Sequence, residues 1–167
     1  MKQEDVKLQR EVYRQDVERM AQWMADQRVV EHINEEQNIA GKLHNLLSQS
    51  HLPLFSPHFN RDASFFLITL PQEGPIGFLR LVPKEDKAEI VVVIGERRHW
   101  GKGYGYQAIR KGVRHAFFEW RKEKVVATIH RNNHRSRKVF RQIGFTKSEE
   151  LPTESRFSLP VDRFVHH

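Results

Sequence analysis

The spacing of apolar positions along the chain changes several times, and each change predicts an element. Residues 6–12 (VKLQREV) alternate weakly and predict a first strand. Asp16 then fits a helix N-cap, and VERMAQWM places Val17, Met20, Ala21 and Met24 at helical intervals. A second, more polar helix is expected over about 35–47, followed by a loop (HLPLFSPHFNRDA) broken by Pro53 and Pro57. SFFLITL (64–70) and IGFLRLV (76–82) read as strands joined by a Pro-Gln-Glu-Gly turn, an antiparallel hairpin. After a polar turn at 84–87, AEIVVVI is the most strand-like stretch of the chain.

From Tyr104 the period lengthens. Ala108, Ile109, Val113, Ala116, Phe117 and Trp120 share one helix face. KVVATI (124–129) is a short buried strand, and Ser136, Val139, Phe140 and Ile143 mark a shorter helix stopped by Gly144. Strands around 145–148 and 156–165 close the chain. The order β-α-α-β-β-β-α-β-α-β-β predicts one mixed α/β (α+β) domain over 1–167, with a sheet that starts antiparallel and becomes partly parallel.

A length of 167 residues suits a single domain. No apolar run approaches the roughly 20 residues of a membrane span, and MKQEDVKLQR lacks the apolar stretch of a signal peptide. A cytoplasmic protein without membrane contact is expected. With no cysteine there is no thiolate nucleophile and no cysteine-based zinc site. His130 and His134 lie four apart, but Arg-Asn-Asn between them lacks the Glu of H-E-x-x-H, so no metal is expected.

The charge is uneven. Of a net +7, residues 97–141 carry +12, with 14 basic side chains against only Glu119 and Glu123. A basic block in an otherwise acidic chain points to a polyanionic ligand such as a nucleotide, coenzyme A or RNA, or else to a solvated basic face.

The candidate chemistry lies at the start of that block, in Arg98-His99-Trp100-Gly101-Lys102-Gly103-Tyr104-Gly105. Three alternating glycines let the backbone approach a ligand closely. The helix N-terminus that follows favours an anion, and Arg97, Arg98 and Lys102 add positive charge. Together they suit a diphosphate cradle. The spacing is not that of a P-loop. Gly103-x-Gly105-x-x-Ala108 matches a dinucleotide fingerprint, yet the next strand ends Ile129-His130-Arg131, without the acidic residue that would hold a ribose.

R-x-x-G-x-G after a buried strand and opening a long helix resembles the coenzyme A motif of the GNAT acetyltransferases. The string IGERRHWGKGYGYQA is similar to the branch of ribosomal-protein N-terminal and polyamine acetyltransferases. A second signature, Asn133-x-x-Ser136-x-x-Val139-Phe140-x-x-Ile143-Gly144-Phe145, resembles the family's N-x-x-S…GF helix and strand. The two motifs span about 89–145, roughly a third of the chain.

The resemblance implies an acetyl-CoA-dependent N-acetyltransferase, with the acyl-CoA held in a splayed strand pair and its diphosphate on amides from about Arg98 to Gly105, Trp100 among them. Its pantetheine arm would run along the strand near Val93 and Ile94, with Asn133 on the other side; Asn133 equally suits a helix cap. Glu89 occupies a position where relatives carry a base, although it also reads as the strand's polar start. Glu149, Glu150 and Glu154 are rival bases on the acceptor rim. Relatives often carry a tyrosine as general acid where this chain has Phe140, which leaves Ser136 as the substitute; a helix hydroxyl of this kind also bonds backbone.

The implied partners are acetyl-CoA and a primary amine: a protein N-terminus, a polyamine or another small amine. Room is left for a homodimer. A competing reading keeps the fold but no catalysis, with the basic segment binding RNA or a ribosome; it predicts steeply salt-dependent binding.

Overall fold

The computed structural model describes residues 4–33 and 38–166. Alternation along β2 (Ser64–Leu70) sets the architecture, because successive strand side chains point to opposite faces. Phe65 and Leu67 enter one buried cluster, whereas Phe66 and Ile68 enter another. The first cluster packs the sheet against α1 (Arg14–Ala25) and α3 (Ile39–Gln49), through Val17, Met20, Trp23, Leu43 and Leu47. The second packs it against α5 (Tyr104–Arg114), through Ala108, Ile109 and Val113. Each fully buried aliphatic or Phe side chain in these layers contributes about 1.5–3 kcal/mol.

Among the described residues, seven strands form one sheet in the order β1-β2-β3-β4-β5-β7-β6. The remaining strands are β1 (Lys7–Gln9), β3 (Gly74–Lys84), β4 (Lys87–Ile94), β5 (Lys124–His130), β6 (Thr146–Glu150) and β7 (Glu154–Pro160). Every pairing is antiparallel except β4 with β5. That parallel ladder covers only Lys87↔Lys124, Ala88↔Val125 and Glu89↔Val126. β4 then continues to Ile94 and β5 to His130 without pairing to each other, so the sheet splits at its centre, as the expected mixed sheet with a splayed strand pair requires.

Several local expectations change. The first strand is only Lys7–Gln9. Asp16 is not the N-cap of α1; Tyr13 is, and the Asp16 carboxylate reaches back to accept the Tyr13 N–H at 2.9 Å. This is the return half of a capping box, which satisfies an N–H that the helix itself leaves unpaired. The polar helix starts at Ile39, capped by Asn38, whose side chain accepts from the Gly41 N–H; residues 34–37 lie outside the described part.

The proline-broken loop contains a turn of helix, α4 (Ser56–Phe59), with Pro57 in its first turn. A further four-residue helix, α2 (Gln27–Val30), follows α1. α5 passes into a π-turn over His115–Glu119, and Phe118 stands half exposed. The last strand ends at Pro160, where the chain turns into α7 (Val161–Val165) rather than continuing extended to 165. No helix among the described residues is long and apolar enough to cross a membrane.

Candidate active site

The split between β4 and β5 opens into a cavity of about 260 Å³. Its floor is the β4 segment from Glu89 to Ile94, its far wall is Ala127 to Ile129 on β5, and its ends are the glycine turn and the first turns of α6 (His134–Ile143). The turn after β4 is fixed from several sides. Gly95 allows the Trp23 ring to lie directly against the backbone, where any Cβ would collide with it. The Trp23 indole N–H donates to Glu96 Oε1 at 2.9 Å. A 3-10 turn over Arg97–His99 then leads into Gly101 and Gly103, whose φ values of 74° and 84° lie in the left-handed region that favours glycine. Gly103 caps α5. A Cβ on Gly101 would meet nothing within 4 Å, and one on Gly105 would meet only Ile94 Cγ1 at 3.9 Å. Neither glycine is therefore demanded by protein packing, and both line the cavity.

Most of the sequence candidates converge on this space. Glu89, Val93, Ile94, Trp100, Tyr104, Asn133 and Ser136 line it together with Gly101, Gly103 and Gly105. Their roles differ in detail from expectation. The Ile94 carbonyl accepts the Trp100 indole N–H at 2.8 Å. The Val93 carbonyl instead faces β3 at Gly77, a glycine whose Cβ would collide with it, so Val93 offers the cavity its side chain. Asn133 caps α6, with Oδ1 accepting the Ser136 N–H at 3.2 Å, which leaves its Nδ2 as the donor for a ligand. Phe140 is buried at the cavity wall, edge-on to Phe145 at 4.9 Å.

Arg98 and Lys102 do not line the cavity. Arg98 is 66% exposed and reaches Glu73 at 3.5 Å, because the 3-10 turn carries it toward the β2–β3 connection. Arg97 is drawn the other way and pairs with Asp26 at 2.9 Å. Asp26 also accepts from the Arg28 N–H as the cap of α2, so this carboxylate ties α2 to the glycine turn. His99, buried and among the residues that line the cavity, has Nε2 2.6 Å from Glu73 Oε2 and packs edge-on to Tyr104. That contact is off the line of an N–H bond, since Nε2 has no hydrogen-bond partner.

Glu89 sits at the closed end of the split, beside the last paired residues, and its carboxylate pairs with Lys84 at 2.8 Å. Glu149, Glu150 and Glu154 are outside the cavity lining. Glu150 is bridged by Lys147 and Arg131, and these hydrogen bonds hold its pKa at about 2, too low for a general base near neutral pH.

Sequence reasoning does not find the roof. Arg28, Val29, His32 and Ile33 come down on the cavity from α2 and the residues after it, and Arg135 comes from α6. The Arg135 guanidinium lies 3.7 Å over the Trp100 ring. No motif marks 28–33, and only the fold brings that segment to the end of β5. Part of the basic block is engaged within the protein. Arg131 pairs with Glu150, Arg137 and Arg141 lie over Phe157, and Arg110 lies over Tyr106 and Phe164.

Comparison with known proteins agrees with this geometry. No curated protein matches the chain significantly. Among solved structures, a GNAT-family acetyltransferase from Bacillus anthracis is 20% identical, with a TM-score of 0.74 over 96% of this chain and 97% of that one. Spermidine N-acetyltransferase from Vibrio cholerae, in complex with CoA and spermine, is 16% identical, with a TM-score of 0.76 over 96% and 98%. A domain from Methanocaldococcus jannaschii is 19% identical, with a TM-score of 0.75 over 95% and 99%. At such identities the likeness concerns the fold. The sequence model of the acetyltransferase (GNAT) domain matches residues 8–146, which is most of the chain, and the protein therefore belongs to the GNAT acetyltransferase family.

Proposed function

We propose that this protein moves an acetyl group from acetyl-CoA directly to a primary amine. The observation that carries this reading is the split of β4 from β5 beyond Glu89↔Val126, ending at a turn whose glycines face open space. The residues present fit the co-substrate. Amides between Trp100 and Gly105, at the N-terminus of α5, suit a diphosphate. The unpaired edge of β4 suits an amide-bearing arm that adds to it as a strand would, with Asn133 Nδ2 opposite. Acetyl-CoA, when bound, supplies the activated thioester.

The protein's own residues then have separate tasks. The split excludes water along the apolar wall of Val93, Ile129 and Phe140. Glu89, shared with Lys84, attracts an acceptor ammonium to the closed end. Ser136, which lines the cavity from α6, hands a proton to the departing sulfur. No residue needs to become acylated, which suits a chain without cysteine. Protein N-termini, polyamines and other small amines are the acceptor classes to test first.

The experiment is direct. Purified protein is titrated with acetyl-CoA by calorimetry, then incubated with an amine panel while free thiol is followed. Saturable binding and amine-dependent thiol release are expected. Absence of binding at millimolar acetyl-CoA would remove the reading.

A further inference from the structure

A helix N-terminus presents only about half a positive charge, less than a diphosphate carries, so the glycine turn calls for a cation beside its amides. The arginines nearest to it in sequence are engaged elsewhere. Arg97 pairs with Asp26 at 2.9 Å, and Arg98 reaches Glu73 at 3.5 Å and Glu96 at 3.9 Å. Neither of them lines the cavity, and nor does Lys102. One arginine of the basic block does, and it comes from the opposite wall of the split. Arg135 stands in the first turn of α6, which follows β5, yet its guanidinium lies 3.7 Å over the ring of Trp100, which follows β4.

That guanidinium is held but not satisfied. Trp100 is fixed beneath it, because the indole N–H donates to the Ile94 carbonyl at 2.8 Å. Stacking on an aromatic face orients an arginine while leaving the N–H groups of its planar fork to donate. Among the described residues, the Arg135 side chain has no hydrogen bond and no carboxylate partner, and it is exposed enough for its donors to be reached. Its neighbours differ: Arg131 pairs with Glu150, and Arg137 donates to the Arg131 carbonyl. Partial burial lowers the Arg135 pKa, as happens when a cation leaves water with no anion in exchange, and a guanidinium stays protonated even so.

An arginine that is oriented, charged and uncompensated suits an anion with paired oxygens. Arg28 also lines the cavity, from α2, but Arg135 is the one stacked on a residue of the turn. Trp100 immediately precedes Gly101, which sets the guanidinium beside the amides that suit a diphosphate.

We propose that Arg135 is the side-chain ligand of the coenzyme's diphosphate, reaching across the split from α6 to the turn that follows β4. The assignment rests on the acetyltransferase reading and deepens it. The phosphate charge is met by a residue outside the glycine motif, Trp100 is the platform that aims it, and the bound anion ties the two walls together. A carboxylate on the acceptor has the same fork-matching chemistry, and the test separates the two sources.

Calorimetry on the full-length protein uses CoA and 3′-dephospho-CoA as probes. Arg135→Gln should weaken both equally, by about 10- to 100-fold, and should flatten the fall of affinity with added salt. Arg135→Lys, which keeps the charge but not the fork, should recover only part of the loss. Trp100→Ala should cost less affinity in the R135Q background than in the parent, because the platform then has nothing to aim. Unchanged CoA affinity in R135Q, or a loss that 3′-dephospho-CoA does not share, would overturn the assignment. So would intact CoA binding with a KM raised for a peptide beginning with glutamate but not for benzylamine, which would place the guanidinium at the acceptor. Wild-type protein that binds no CoA would instead remove the acetyltransferase reading itself.

Discussion

The Trp100 indole N–H donates to the Ile94 carbonyl at 2.8 Å while the same ring carries the Arg135 guanidinium 3.7 Å above its face. One side chain thus joins the end of β4, the glycine turn and α6, three of the elements around the split. Trp100→Phe keeps the ring and removes the hydrogen bond, a loss of about 1 kcal/mol, and should weaken acetyl-CoA binding roughly 5-fold. Trp100→Ala also removes the ring on which Arg135 stacks and should weaken it further. Calorimetry checks both, and equal affinities in the three proteins would contradict this role.

Two glycines of α5 should respond in opposite ways. A Cβ at Gly112 would come within 2.8 Å of Leu79 Cδ1 and 3.0 Å of Ile90 Cδ1, where helix meets sheet. Gly112→Ala should therefore destabilise by about 1–3 kcal/mol through overpacking. Gly105 has open space before it, and Gly105→Ala should be neutral or stabilising by up to about 1 kcal/mol from helix propensity. Denaturant unfolding of the two variants decides this.

Phe140 has no proton to donate, and Ser136 is the hydroxyl-bearing residue of the same helix that also lines the cavity. Ser136→Ala should lower kcat by about 10- to 100-fold, at the modest end of general-acid contributions, with little effect on acetyl-CoA binding. Phe140→Tyr in that background should restore part of the rate. Thiol release measured with an excess of amine is the readout.

Stability should fall on mild acidification because of His115. This ring packs between Phe66 and Trp120, its Nε2 buried without a partner. Burial lowers its pKa most and Arg10 adds to the lowering, while Glu119 opposes it. The unfolded chain then binds the proton more readily than the native one. Stability is complete above the ordinary histidine value of about 6.5 and is lost as the pH falls from there through the lowered native value. Unfolding free energies between pH 7.5 and 5 should show that slope, and His115→Phe should flatten part of it; an unaltered slope would contradict the account.

Local signals are legible in the amino-acid order itself, whereas long-range convergence is not. The alternating glycines and the Asn133 and Ser136 positions of the second motif act through their own backbone, and they line the cavity, whereas Gly144 and Phe145 lie outside its lining. His32 becomes part of the site only because Asp26 caps α2 and pairs with Arg97, setting the following residues over His130, 98 positions further along the chain. Nothing in the periodicity of 28–33 announces that. Arg98 illustrates the converse, since its charge beside the glycines suggests a phosphate ligand, whereas the 3-10 turn swings it to Glu73. Asp16 is recognisable as a capping residue, but alternation and spacing do not tell a cap from the third helical position that answers it.

The most direct measurement is a calorimetric titration of acetyl-CoA into the wild type and into Gly105→Val, whose side chain would occupy the opening beside Ile94 while leaving the sheet packing untouched. Saturable one-to-one binding to the wild type, abolished in a variant of equal folding stability, is the predicted result. Wild-type protein that takes up no acetyl-CoA, or a variant that binds it as well as the parent, would contradict the claim that this cleft is an acyl-CoA site.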